Sequence, residues 1–498
     1  MRSLATTKYG ADRHTLLQIY NSLIKGKISY SSPLLVSTSQ TNLDILEIIQ
    51  NTALRIATGA IRTTEIASLQ CEANIPPLDM YLKKQAIKTY FKVQAKGQNH
   101  PIHTHTDPDE DEDLPWTEVF THPFQNQVQM IMQNWDIPCD TEPKIINHAI
   151  IPPWEPLKDY IALNLEGEET KACSDAQLRA SAIQTINKRY PHALYIYTDG
   201  SKKNDNSKST TAAFYVPEND TRISWKLHPD ISIAGAEMSA IYKSTEWLLD
   251  DPPSRGDPPK NMVVILTDSK VSLHLLLQRN PKSYAVGVSE IHNNLRILRY
   301  LNWEVYFQWV PSHCGIQGNH VADALAGQAH TLETIDDYHL EIEERILRLN
   351  TAFSKTWQEK WTSEIITHPN NKLRILKEKI GHWPHTLLKS RPLDVILTRF
   401  RLGHDRLNKH LNTMKIKPSP ACIQCDEGCD ETSTHFFMEC EAYTAHRQVL
   451  FNNLNSLGIH NPSLDILLGK SEQELGVKHS ITQEVAKYII KSQRISDL

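Results

Sequence analysis

The chain has 498 residues, enough for about three domains at roughly 150 residues each. Hydrophobic residues make up 40% and charged residues 22%, an ordinary globular balance that excludes a wholly disordered chain. The net charge of −5 excludes an overall basic nucleic-acid coat, no apolar run approaches the ~18 residues of a membrane span, and the eight cysteines are too sparse for a disulfide scaffold.

Residues 1–96 read as helical. Thr41 and Asn42 offer a cap before LDILEIIQNTALRIATG, where Leu43, Leu46, Ile49 and Leu54 fall near one stripe and Gly59 can end the helix. The start, MRSLATTKYGADRHTLL, lacks the apolar core of a signal peptide. Residues 97–116 read as an acidic linker: six of the seven residues from Asp107 to Asp113 are acidic, and prolines interrupt the stretch. Its histidines, His100, His103 and His105, are better read as part of a polar tract than as metal ligands. Residues 117–190 are a connecting segment without a functional reading, holding one predicted helix, Ser174–Arg189.

Residues 191–330 alternate strand and helix. LYIYTD, TTAAFYV and RISWKL are close enough to form an antiparallel meander. MVVILTD and WEVYFQWV are separated from the first strand by helices, which implies parallel crossovers. The expected fold class is α/β: a mixed five-stranded sheet with flanking helices. Residues 331–417 form a basic helical segment, and from 345 to 417 it holds 16 Lys/Arg against 5 Asp/Glu. A small metal module spans 418–445, and a helical tail spans 446–498.

Four acidic residues stand where an α/β sheet gathers ligands, at the carboxyl ends of parallel strands. Asp199 ends the first strand and Asp268 the fourth; Glu237 opens the first helix and Asp323 lies in the first turn of the last. Each alone has an ordinary use as turn residue, cap or dipole complement. Together on one edge they repel each other, which cations would relieve. Hard oxygen ligands suit Mg²⁺, and two ions about 4 Å apart can activate a water and stabilise the leaving oxygen in phosphodiester hydrolysis.

The blocks YTDGS (197–201), AEMSAI (236–241), LTDSK (266–270) and WVPSHCGIQGNHVADALA (309–326) resemble those of type 1 ribonuclease H, in order. The resemblance implies a ribonuclease H-like fold and an endonuclease that cuts the RNA strand of RNA/DNA hybrids with two Mg²⁺ or Mn²⁺ ions. It implies that Asp199 bridges both ions, that Asp323 helps hold the one activating water, and that Glu237 and Asp268 hold the one beside the leaving group. His313, on a glycine-containing loop, would assist product departure or proton transfer; Ser201 and Asn319 would contact substrate. Two departures stand out. The loop SKKNDNSKSTT lacks the glycines often found there. Residues 279–300 carry Arg279, Lys282, Arg296 and Arg299 but no Lys/Trp-rich handle. Ser201, two residues after the first Asp, counts against a DEDD-type exonuclease, and Asp323 counts against a DDE transposase.

Cys422 and Cys425, followed by His435 and Cys440, have the spacing of a structural S₃N zinc site, with Cys429 as a possible substitute ligand. Following the basic segment, this module reads as RNA- or DNA-binding. The flanks IYNSLIKGKISYSSPLL and LDILEIIQNTALRIATGAIRTTEIASLQCEANIPPL, with HFFMEC, resemble the carboxyl half of the open reading frame 2 proteins of jockey-like non-LTR retrotransposons. There thumb and connection helices of a reverse transcriptase precede ribonuclease H. By that resemblance Met1 falls after the polymerase palm. The only Asp-Asp pairs, Asp250-Asp251 and Asp336-Asp337, do not fit a polymerase turn, so no DNA synthesis is expected. The expected function is thus a hybrid endoribonuclease, with a non-catalytic nucleic-acid-binding remnant of a retroelement as the alternative. The expected location is intracellular, in nucleus or cytoplasm, without a membrane partner.

Overall fold

Strand β2 (Leu194–Lys203) shows how the sheet is built. Successive side chains point to opposite faces: Leu194 and Ile196 enter one core, while Tyr195 and Tyr197 face the other. Both faces are covered, so the strands read as continuous apolar runs, as in MVVIL of β5 (Met262–Thr267). The molecule, a computed structural model, describes residues 1–96, 124–138, 151, 154–166, 173–203, 208–250, 261–336, 339–367, 371–383, 388, 390–470 and 474–498. The acidic stretch 97–116 with its three histidines therefore lies outside the described residues, as do residues 204–207, Asp251 and Asp337.

The sheet has six strands in the order β1-β6-β5-β2-β3-β4. Strands β2, β3 (Ser209–Val216) and β4 (Thr221–Leu227) form the expected antiparallel meander, and β2, β5 and β6 (Glu304–Trp309) run parallel. The expected count of five is corrected by β1 (Ile161–Ala162), which pairs parallel with β6, Ile161 opposite Phe307. Two residues are too few to show an alternation, which is why the strand escaped notice.

Helices α2 (Ile233–Asp250) and α4 (Ala285–Tyr300) cover one face, sharing a core of Ile196, Phe214, Ile241, Ile265, Leu295 and Phe307. On the other face lie α1 (Asp175–Arg189) and α5 (Gln317–Ala329), packed over Tyr197, Leu266 and Val310. The α1 helix starts at a capping box, in which Ser174 and Gln177 satisfy each other's backbone N–H groups. Two glutamates from the chain beyond the sheet seat the α2 and α4 starts: Glu344 Oε1 accepts from Ser232 N–H at 3.3 Å, and Glu341 Oε1 from Gly287 N–H at 2.9 Å.

The chain divides into two compact units. One holds the sheet, within residues 132–350 and the described part of 88–115. The other gathers residues 1–87 and 351–498 with 124–131. In this second unit helix Gln40–Thr58 begins after Ser39, two to three residues earlier than the sequence suggested and without a side-chain cap, and ends at Gly59 with φ 72°. The predicted stripe is shifted too: Leu54, Ala53 and Ala57 are buried, whereas Ile49 is exposed.

That unit is pinned by buried charges. Arg13 reaches Glu72 Oε1 at 2.9 Å and Asp394 Oδ1 at 3.0 Å. Arg401 lies 3.8 Å from the same Glu72 oxygen, and Trp383 Nε1–H donates to Glu72 Oε2 at 2.7 Å. Burial works to raise the Glu72 pKa, yet Arg13, Arg401 and Lys377 outweigh it and hold the pKa below the usual value. The basic segment is accordingly no uniform basic face. Arg374, Lys377, Arg391 and Arg401 are buried, with Arg391 donating to Thr6, Ala57 and Ile56 carbonyls and Lys377 to the Cys71 carbonyl. Trp357 and Trp361 are core residues. No described helix is long and apolar enough to cross a membrane.

Candidate active site

Parallel pairing of β2 with β5 sets Thr198 opposite Thr267, so the next residues, Asp199 and Asp268, stand side by side. Asp199 lies inside β2 rather than at its end, because β2 continues to Lys203 against β3 after β5 has stopped. Gly200 then admits the helix that carries Glu237. A Cβ at Gly200 would sit 2.7 Å from the Glu237 nitrogen and 2.9 Å from the Ala236 Cβ, so only glycine permits this approach. The α2 helix begins at Ile233, which puts Glu237 in its second turn rather than at its opening. After Asp268, Ser269 caps α3 (Lys270–Leu276) through its Oγ, leaving the Asp268 carboxylate to the site.

The result is a cluster: carboxylate oxygens of Asp199, Glu237 and Asp268 lie within 4.8 Å of one another. Asp199 and Glu237 are buried, and Glu237 Oε2 has no hydrogen-bond partner among the described residues. Burial first, then Asp268 and Asp323, push the Asp199 pKa up to about 8. Glu237 is raised by burial, Asp199 and Asp268. Asp268 is raised by burial, with the Asn319 hydrogen bond and His313 pulling the other way. A buried set of like charges with an orphan oxygen fits a hard divalent cation, whose charge reverses the cost of ionisation.

Asp323 is not in that cluster. It lies in the second turn of α5, half exposed, with His313 Nδ1 3.8 Å from its Oδ2. Asn319 is buried, and its amide donates to Asp268 Oδ2 at 3.4 Å. Its position depends on Gly318, where a Cβ would fall 2.1 Å from the Tyr197 ring. His313 has φ 52° and projects its ring outward, 81% exposed, from a loop anchored by the buried Cys314 and Ile316. The Ser201 Oγ lies 3.0 Å from His330 Nε2. Of the basic residues between 279 and 300, Arg279 bonds the Glu155 carbonyl and Arg299 pairs with the Glu155 side chain, so both serve the fold.

A second metal-fitting group lies in the other unit. Ligand atoms of Cys422, Cys425, His435 and Cys440 lie within 4.8 Å of one another. Cys425 Sγ is 3.4 Å from His435 Nε2, and Cys422 Sγ is 4.0 Å from Cys440 Sγ. A tight hairpin, closed by Cys422 N–H on the Cys429 carbonyl at 2.8 Å, carries the first two ligands. His435 opens a short helix whose Phe436 and Phe437 enter a core with Phe400 and Tyr488. The Cys429 thiol is exposed and turned toward Glu427; it is outside the four-ligand group but lies within 4.8 Å of ligand atoms of Glu427 and His435. Three thiols and an imidazole suit zinc. Without a cation, burial and the nearby Cys422 push the Cys440 thiol up to about 12.

Comparison with known proteins bears on the sheet unit. Residues 191–331 match the model of the RNase H family. Among solved structures the chain is similar to RNase H1 from the halophilic archaeon Halobacterium salinarum, at 15% identity over 28% of this chain and 96% of that one, with a TM-score of 0.21. It is also similar to the N-terminal RNase H domain of a Mycobacterium tuberculosis protein solved as a fusion with maltose-binding protein, at 15% identity over 28% and 98%, with a TM-score of 0.19. No curated protein matches the chain. By the family match, residues 191–331 form a ribonuclease H domain.

Proposed function

We propose that this chain is an endoribonuclease that hydrolyses the RNA strand of RNA/DNA hybrids with two divalent cations, and that it derives from a jockey-like retrotransposon protein. The observation that carries the catalytic reading is the convergence of Asp199, Glu237 and Asp268 within 4.8 Å, two of them buried and one oxygen unpartnered. Asp199, Glu237 and Asp268 would hold the cations, with Asp199 shared between them, and Asp323 would add a further carboxylate beside Asp199. When bound, Mg²⁺ or Mn²⁺ supplies Lewis acidity at the phosphate and a hydroxide-like water. Asn319 fixes the Asp268 carboxylate through its amide. His313, exposed and beside Asp323, is placed to exchange a proton with solvent near the scissile phosphate. Hybrid recognition rests on 2′-hydroxyl contacts and duplex shape.

Cys422, Cys425, His435 and Cys440 would hold a structural zinc ion, since four protein ligands leave no open position. Nucleic-acid contact by this unit falls to the basic residues that remain exposed beside the module, Arg406, Lys409, Lys415 and Lys417. The retroelement origin rests on the flanking sequence resemblance alone.

The test is cleavage of an end-labelled RNA/DNA hybrid by the full chain in Mg²⁺ or Mn²⁺, beside double-stranded RNA and double-stranded DNA. Internal cuts confined to the hybrid, and absent with Asp268→Asn, are expected. Hybrid binding without any cutting would overturn the catalytic reading and leave a binding protein.

A further inference from the structure

The helix α1 precedes the 191–331 match, yet it is built into the domain. Ala182 and Ile186, with Leu178, share a core with Val310, Cys314 and Ile316, the residues that anchor the His313 loop. At the far end, Arg189 donates to Gln308 Oε1 at 3.0 Å. The first turns of α1 thus lie at the sheet edge that carries Asp199 and Asp268. There Arg179 is exposed and makes no ion pair among the described residues. A Cβ on Gly315 would lie 3.7 Å from both its Cδ and its Nη1, so the guanidinium borders the loop that presents His313. Gly315 also lines a recess of about 210 Å³ shared with His313, Asn319, His320 and Asp323.

We propose that Arg179 binds a phosphate neighbouring the scissile one on the strand being cut, making α1 a substrate-binding addition to the ribonuclease H domain. His313, His320 and Asn319 line the recess with one carboxylate, Asp323, and the Arg179 guanidinium stands beside it at Gly315, adding a fixed positive charge for an anion to meet. A guanidinium meets a phosphate with paired N–H donors, and its exposure leaves those donors in place for a ligand. The inference rests on the hybrid-cleavage reading, and the measurements below separate the two.

Two readouts on the full chain test it. In the Asp268→Asn background, affinity for a fluorescent RNA/DNA hybrid is measured by anisotropy from about 50 to 300 mM KCl. Arg179→Ala and Arg179→Glu should weaken binding about fivefold to fiftyfold, and the slope of log affinity against log salt should shrink by about 0.9, one phosphate contact. Arg179→Lys should keep most of the slope. With Asp268 intact, Arg179→Ala should raise KM and leave kcat within about twofold, the mark of uniform binding. Unchanged affinity, salt slope and KM in Arg179→Glu overturn the inference while leaving the nuclease standing. Lost hybrid binding in a chain that never cuts overturns the nuclease while leaving Arg179 as a phosphate contact.

Discussion

Both units bury charged side chains, and they do so in opposite ways. In the unit built from the chain's two ends, Arg13, Glu72, Asp394 and Arg401 alternate in sign at contacts of 2.9 to 3.8 Å. Each charge has a partner, so the group needs nothing from outside. In the sheet unit Asp199, Glu237 and Asp268 share one sign and one small volume, and Glu237 Oε2 has no partner. The first arrangement is what a fold uses to fix which segments meet; the second leaves its repulsion uncompensated within the protein, as a cation site would. Sign, more than burial, separates a structural cluster from a site.

Substitution at the two clusters should therefore act on different quantities. Asp199→Asn should lower hybrid cleavage by at least about a hundredfold, the scale of losing one preorganised electrostatic contact. The same change should not destabilise the metal-free protein, because it removes a repelling charge. Chemical denaturation in EDTA checks this; a marked loss of stability would mean that Asp199 supports the fold. Arg13→Met should do the reverse. It removes the shortest cationic contact of both buried Glu72 and Asp394, leaving Arg401 and Arg391 at 3.8 and 4.0 Å, and should cost about 3 kcal/mol in urea unfolding. A change below about 1 kcal/mol would show that water reaches the pair.

The pH dependences should also have opposite signs. The Glu72 pKa is held below its usual 4.5. Stability from Glu72 is therefore complete above that unfolded value and is lost as pH falls below it. Asp199 is raised from 3.8 to about 8. Its folded form binds the proton more tightly, so the metal-free sheet unit should lose stability as pH rises from about 4 toward 8. Asp199→Asn should flatten the second dependence and leave the first. Saturating Mg²⁺ should flatten it as well, and if EDTA and Mg²⁺ gave the same slope, the three carboxylates would not be a cation site.

How much of this was legible in the sequence follows the same division. Asp199 and Asp268 could be placed together because strand–helix–strand order implies parallel neighbours, and the observed register of Thr198 with Thr267 agrees. The cysteine spacing was equally direct, since all four ligands fall within 19 residues. The Arg13–Asp394 pair spans 381 positions, and no periodicity relates such residues. Counting charge from 345 to 417 saw a basic block, but a count cannot tell Arg401, buried against Glu72, from Lys415 in solvent. The separation of Asp323 from the other three carboxylates was hidden as well. It depends on where α5 begins, two residues before Asn319, and helix starts are weakly encoded.

The smallest expected effect concerns the cysteine group, which falls between the two charged clusters. A thiol becomes a zinc ligand only by losing its proton, and burial with the nearby Cys422 raises the cost of that loss at Cys440. Cys440→Ser should abolish zinc retention through dialysis, read as metal per chain by atomic absorption, and loosen the core around Phe436 and Phe437. Cys429→Ser should change neither zinc content nor stability beyond about 0.5 kcal/mol, as for an ordinary surface substitution. The expectation rests on Cys429 contributing to the hairpin through its backbone carbonyl, which serine keeps, while its thiol faces Glu427 and the Cys422, Cys425, His435 and Cys440 group is already four ligands. A loss of zinc in Cys429→Ser would mean that the hairpin rearranges on metal binding and that the sulfur, rather than the carbonyl, is the part of Cys429 that matters.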